Sequence, residues 1–178
     1  MTEFSDDMPL GAARDALREL ITPRGAKHRC PLCARTTQIQ WRTIHSSMAR
    51  YFLVLYHAAP PGTAMPIRDA RIAGDSIKGA DVCKMKYWGL LKDERERRPD
   101  GGPGGWWSVT EAGARFARRE ITVPRIARVY ADRVLSFEGK QVDIRDCLGD
   151  RFNYDALMAG SPGDDDALVV GTGGTLFG

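Results

Sequence analysis

The apolar positions fall into blocks whose period changes along the chain. Leu10, Ala13, Leu17, Leu20 and Ile21 form one stripe at helical spacing, so residues 9–21 read as an amphipathic helix, with Asp7 placed to cap it and Pro9 in its first turn. Pro23-Arg24-Gly25 ends that helix, and a cysteine-bearing loop, KHRCPLC, follows. TQIQWRTI alternates as a strand does. Ser46 or Ser47 then opens SSMARYFLVLYHAA, a helix apolar on most sides and so expected to be buried, and Pro60-Pro61-Gly62 stops it. No internal repeat is visible.

From Met65 the order of elements becomes specific. An extended piece at 65–67 leads into a short helix at 68–72, a turn at Ala73-Gly74-Asp75 and a further helix from about 80 to 88. Gly89 ends that helix as a left-handed cap, and Leu90-Leu91-Lys92 begins a strand. ERERRPDGGPGG, with two prolines and four glycines, reads as an exposed loop, WWSVT as the returning strand, and Thr110 as the cap of the helix EAGARFARRE. Helix, strand, helix, turn, helix, strand, glycine loop, strand, helix is the order of a winged helix-turn-helix.

Beyond it, ITVPRIARVYADRVLSFEGKQVDI alternates over two or three strands with turns at Ala131-Asp132 and Glu138-Gly139. Asp143 caps a short helix, IRDCLG, and FNYDALM forms another with Phe152, Leu157 and Met158 inward. SPGDDDALVVGTGGTLFG has the composition of a disordered tail. The expected fold is therefore α+β. It has an N-terminal helix and Cys-x-x-Cys knuckle (1–45), a winged helix-turn-helix core (46–120), a β-hairpin with short helices packed on that core (121–158), and a tail (159–178).

Composition changes this picture mainly by exclusion. Hydrophobic residues make up 43% and charged residues 28%, as in a globular protein with its own core. No apolar run approaches the roughly 20 residues a bilayer span requires, and MTEFSDDMPL lacks the apolar region of a secretory leader, so a cytoplasmic protein without membrane contact is expected. The net charge of +3 conceals an uneven distribution. Residues 24–99 carry 15 basic against 6 acidic side chains, whereas residues 141–178 carry 2 against 7. A basic block coinciding with a helix-turn-helix suggests a polyanion surface.

In the helix at 80–88, Val82, Met85 and Trp88 recur every third residue and pack inward with Leu90, leaving Asp81, Cys83, Lys84 and Tyr87 on the other face. Lys78, Lys84 and Lys86 are then placed for phosphates beside a major groove. Asp81 suits either a cytosine amino group or the helix cap, and Tyr87 suits a phosphate or closure of the core. The glycine-rich wing, 95–106, carries Arg95, Arg97 and Arg98 at its base. One of Trp106 and Trp107 should be buried by strand alternation and the other exposed.

Cys30-Pro-Leu-Cys33 has the spacing with which two thiolates grip one metal, and zinc there would draw its remaining ligands from His28, His45 or a second subunit; the other reading is a metal-free reduced turn. Nucleophile elbows, phosphate loops and His-Glu-x-x-His are absent from the sequence, and no acid/base pair stands out, so no enzymatic activity is expected.

VCKMKYWGLLK followed by WWSVTEAGARF resembles the recognition-helix and wing pattern of winged-helix transcription regulators of the multiple-antibiotic-resistance type. Val82, Met85, Gly89 and Leu90 match the first element, and Trp107, Val109, Thr110 and Gly113 the second. A longer set, CPLC, SSMARYFLVLY, KGADVCKMKYWGLL, GGWWSVTEAGARF, ITVP and FNYDALM, is similar to an uncharacterised winged-helix family of phages and prophages. The resemblance implies a double-stranded DNA-binding regulator in a host cytoplasm. It lacks the long C-terminal dimerisation helix of those regulators, which leaves a homodimer an open expectation. The alternative function is a winged helix that binds a host protein, such as RNA polymerase, without reading DNA.

Overall fold

The structure, a computed structural model, describes residues 4, 5, 7–72, 75, 76, 81–94 and 105–160. The fold is α+β, with helices and antiparallel sheets. Among the described residues no helix is long and apolar enough to cross a membrane. The chain divides at Thr43/Ile44, Thr122/Val123 and Gln141/Val142 into two compact units, so each unit is assembled from two separate stretches of sequence.

The first unit begins with α1 (Leu10–Ile21), which buries Ala13, Leu17 and Ile21 as its stripe predicts. Pro9 occupies the N-cap and no side chain caps the helix there, so Asp7 does not play the expected part. A short ladder follows, β1 (His28–Arg29) against β2 (Thr36–Thr37), with His28 opposite Thr37. A three-stranded sheet in the order β10-β9-β3 joins β3 (Gln40–Thr43), β9 (Val123–Tyr130) and β10 (Arg133–Val142). Leu17, Ile21 and Ile39 form its core, with Phe4, Cys30, Trp41 and Tyr130 packed against them. Trp41 lies opposite Arg128, whose guanidinium stands 5.2 Å from the ring centroid.

In this unit the hairpin stands with the N-terminal segment: β9 finds its second partner in β3, with Gln40 opposite Val129 and Thr43 opposite Ile126. The Ala131-Asp132 turn forms, with φ of 47° and 63°. Glu138-Gly139 is no turn: β10 runs through it, and glycine accommodates the local φ of 84°.

The second unit is built around α2 (Ser46–Ala58), which buries Met48, Ala49, Phe52, Leu53, Val54 and Leu55, as expected of a helix apolar on most sides. Its N-cap is His45 and not a serine, and the imidazole Nδ1 accepts the Met48 N–H. Phe52 meets Phe116 edge-on at 6.1 Å. The half-stack of Arg50 on Phe152 (5.0 Å) ties α2 to the C-terminal part of the unit. A second three-stranded sheet, in the order β4-β8-β7, joins β4 (Met65–Pro66), β7 (Leu91–Asp93) and β8 (Trp106–Val109).

Where the sequence suggests a helix at 68–72, only a 3₁₀ turn at Ile67–Asp69 forms, and β5 (Arg71–Ile72) pairs with β6 (Asp75–Ser76). Helix α3 (Glu111–Ala117) is capped by Thr110 and is shorter than EAGARFARRE suggests. Helix α4 (Ile144–Leu148) carries a full capping box of Asp143 and Asp146, and α5 (Tyr154–Met158) buries Leu157 beside a buried Phe152. Lys78, Arg95, Arg97 and Arg98, residues 95–104 of the expected wing (95–106) and residues 161–178 of the expected tail (159–178) lie outside the described residues.

Candidate nucleic-acid interface

The segment expected to read DNA, Asp81–Trp88, is helical but of 3₁₀ type. Its apolar residues explain the difference. Val82, Met85 and Trp88 stand three apart, and a helix of three residues per turn sets such positions on one edge, whereas an α-helix would spread them. All three are buried. The segment ends in a complete Schellman closure: Gly89, at φ 70°, donates its N–H to the Lys86 carbonyl at 2.9 Å, and the Leu90 N–H reaches the Met85 carbonyl at 3.2 Å.

Immediately after this cap the chain is locked to the returning strand. The Thr110 hydroxyl donates to the Gly89 carbonyl at 2.6 Å and lies 3.2 Å from the Leu90 carbonyl, while accepting the Gly113 N–H at 2.9 Å. The Thr110 N–H also bonds the Leu90 carbonyl, at 3.1 Å. Gly113 is required by contact: a Cβ there would lie 2.2 Å from the Leu90 carbonyl oxygen. Leu91 opposite Val109 and Asp93 opposite Trp107 continue the joint into the sheet. Gly89, Leu90, Thr110 and Gly113, which the sequence supplies as two separate motifs, thus meet as one piece of structure.

The outward face of Asp81–Trp88 carries Asp81, Cys83, Lys84, Lys86 and Tyr87. Lys84 is ion-paired to the Asp81 carboxylate, three residues before it. His45 Nε2 faces the other Asp81 oxygen at 3.8 Å. With Nδ1 accepting the Met48 N–H, the imidazole proton sits on Nε2, on the Asp81 side. Asp81 therefore links the start of this segment to the start of α2. Lys86 Nζ lies 5.3 Å above the Tyr87 ring. Cys83 is half-buried, and burial pushes its thiol above the ordinary value, which keeps it protonated near neutrality.

Behind this face, Glu94 is a buried carboxylate that sequence reasoning missed within a run of charges. Ser108 Oγ donates to it at 2.8 Å and Lys92 Nζ at 3.1 Å, so it is held in the sheet at the base of the 95–104 segment. Trp107 is buried as strand alternation requires, but Trp106 is half-buried and not the exposed aromatic expected.

The four residues considered for zinc are not gathered together. Cys30 is half-buried and Cys33 exposed at the tip of the β1–β2 hairpin, and hydrogen bonds from the backbone N–H groups of Cys33 and Leu32 hold the Cys30 thiol below its ordinary value. His28 sits in the ladder opposite Thr37, and His45 caps α2. Among the described residues no group of three or more His, Cys, Asp or Glu is arranged to hold a metal. His57 is half-buried on α2, and burial lowers its pKa.

Compared with family models, with curated proteins and with solved structures, the chain matches none.

Proposed function

We propose that the unit around α2 is a winged-helix module that binds double-stranded DNA, with Asp81–Trp88 entering the major groove and the segment between β7 and β8 serving as the wing, and that the protein is a transcriptional regulator of phage or prophage type. The observation that carries this reading is the sheet order β4-β8-β7 locked to the cap of Asp81–Trp88 through Thr110 and Gly113. It fixes a short helix by its apolar edge on a sheet and turns lysines and a tyrosine outward, the arrangement a groove-reading helix needs. On this reading the first helix of the helix-turn-helix pair, the one before the recognition segment, is reduced to the turn at Ile67–Asp69.

The Asp81–Lys84 pair sets the strength of binding. An internal carboxylate competes with phosphate for Lys84, so the outer face binds a duplex weakly until that pair opens. A salt titration of duplex affinity tests this. Lys86→Ala should make the slope of log K against log salt shallower by about 0.9, and Asp81→Asn, which releases Lys84, should make it steeper by a similar amount. Unchanged slopes in both variants, or no duplex binding at low salt, would sink the reading. The neutralised Lys84 and the half-buried Trp106 favour, in that event, a module that docks a host protein by the same face.

A further inference from the structure

We propose that the Cys30–Cys33 hairpin tip is one half of a four-cysteine zinc site, completed by the same tip of a second copy of this chain. The tip has the build of a metal knuckle. The pairing of His28–Arg29 with Thr36–Thr37 fixes both arms, the Cys30 N–H bonds the Arg35 carbonyl at 2.9 Å, and the Ala34 N–H bonds the Cys30 carbonyl at 2.9 Å. Ala34 takes a left-handed φ of 55° to close the turn, a conformation a non-glycine residue adopts only at some strain.

Two thiolates are half of what a structural zinc site takes. Among the described residues the chain does not bring up the rest: His45 is engaged as the cap of α2, His28 lies in the ladder, and no third donor joins the cysteines. The tip itself is open. Cys33 is exposed and Leu32 is 74% exposed, so a second tip can approach without displacing any part of the hairpin. A two-fold axis through the metal then supplies the missing pair from the same surface of the partner, as a self-complementary contact must. An apolar hollow of about 350 Å³ adjoins the tip, lined in part by Leu10, Leu17, Pro31, Leu32 and Tyr130. Leu10, itself 65% exposed, and Leu32 are the surface that closing two tips on a metal would cover. The inference rests on this hairpin alone and is independent of the DNA reading.

Zinc content and molar mass, measured on the full chain purified under reducing conditions, test it together. The expected result is one zinc per two chains, a dimer that a strong chelator returns to monomer and added zinc restores, and a cobalt-substituted form with the intense visible absorption of a tetrahedral tetrathiolate. Cys33→Ser should lose both metal and dimer. Because Cys33 is exposed, its circular dichroism should match that of the metal-free wild-type chain. One zinc per monomer, no zinc at all, or a dimer that survives chelation would overturn the proposal.

Discussion

The Leu90 joint and the Cys30–Cys33 tip are both announced by short motifs, yet only one of them is complete. At the joint each motif residue satisfies another within a single unit. Gly89 closes the helical segment, Thr110 bonds the carbonyls that follow, and Gly113 leaves room for Leu90. At the tip the two cysteines join no group of three or more potential metal donors among the described residues. A motif whose residues bond one another can be read as structure, whereas a motif whose residues address a ligand is read only as an offer.

The largest effect that tests this contrast lies at Gly113. Its substitution by alanine places a methyl group 2.2 Å from a backbone oxygen, and neither side of that contact is a flexible side chain. Gly113→Ala should lower unfolding stability by about 3 kcal/mol or more, at the upper end of overpacking effects. Chemical denaturation would measure it. A loss below about 1 kcal/mol would mean that α3 can slide away from β7 and that the joint is not locked.

How far the sequence is legible follows the same line. Spacing and turn chemistry identify Gly89 as a left-handed cap, Thr110 and Asp143 as helix caps, and Val82, Met85 and Trp88 as the buried edge, because each is decided by neighbours in sequence. Helix type is less legible: the three-residue period of those apolar positions is itself the mark of a 3₁₀ segment, but it lies close enough to the α-helical period to be taken for one. The partner of β9 is not legible at all, since β3 lies about 80 residues away and alternation names no partner. At the candidate site, the i, i+3 spacing of Asp81 and Lys84 signals an ion pair, and counting Lys84 as a phosphate ligand overlooks it. His45 misleads for a different reason, since a histidine before a helix can serve as a cap as well as a ligand, and its role depends on the fold.

A smaller effect is expected where the joint ends. Arg119, just beyond α3, donates to Asp143 at 2.8 Å, and Asp143 also accepts the Asp146 N–H at 2.8 Å as the cap of α4. Burial alone would raise the Asp143 carboxyl, but the Asp146 N–H and the Arg119 guanidinium outweigh it, and its pKa falls below the ordinary 3.8. A carboxyl with a lowered folded-state pKa binds protons more readily when the chain is unfolded. Its contribution is thus fully present above about pH 4 and is lost as the pH falls further. Asp143→Ala should reduce stability by about 1–2 kcal/mol at neutral pH and flatten the decline below pH 4. An undiminished acid slope in that variant would assign the decline to other carboxylates and separate α4 from the joint.

The smallest effect probes the unit that carries the Cys30–Cys33 hairpin. The turn between β9 and β10 places Ala131 at φ 47° and Asp132 at φ 63°, the left-handed pair a two-residue hairpin demands. Asp tolerates that region because its short polar side chain bonds locally, but alanine gains nothing in return for the crowding of its Cβ. Ala131→Asn should therefore stabilise the hairpin, by about 0.5–1 kcal/mol, since asparagine is favoured at this position of such turns. Amide exchange across β9 and β10 would register the change as slower opening of the hairpin, while exchange at Leu90 and Thr110 stays as it was if each unit holds its own strain. Equal slowing at both places would show that the turn and the joint share one opening reaction, and the contrast between a closed joint and an open tip would then lie in their ligands alone and not in their stability.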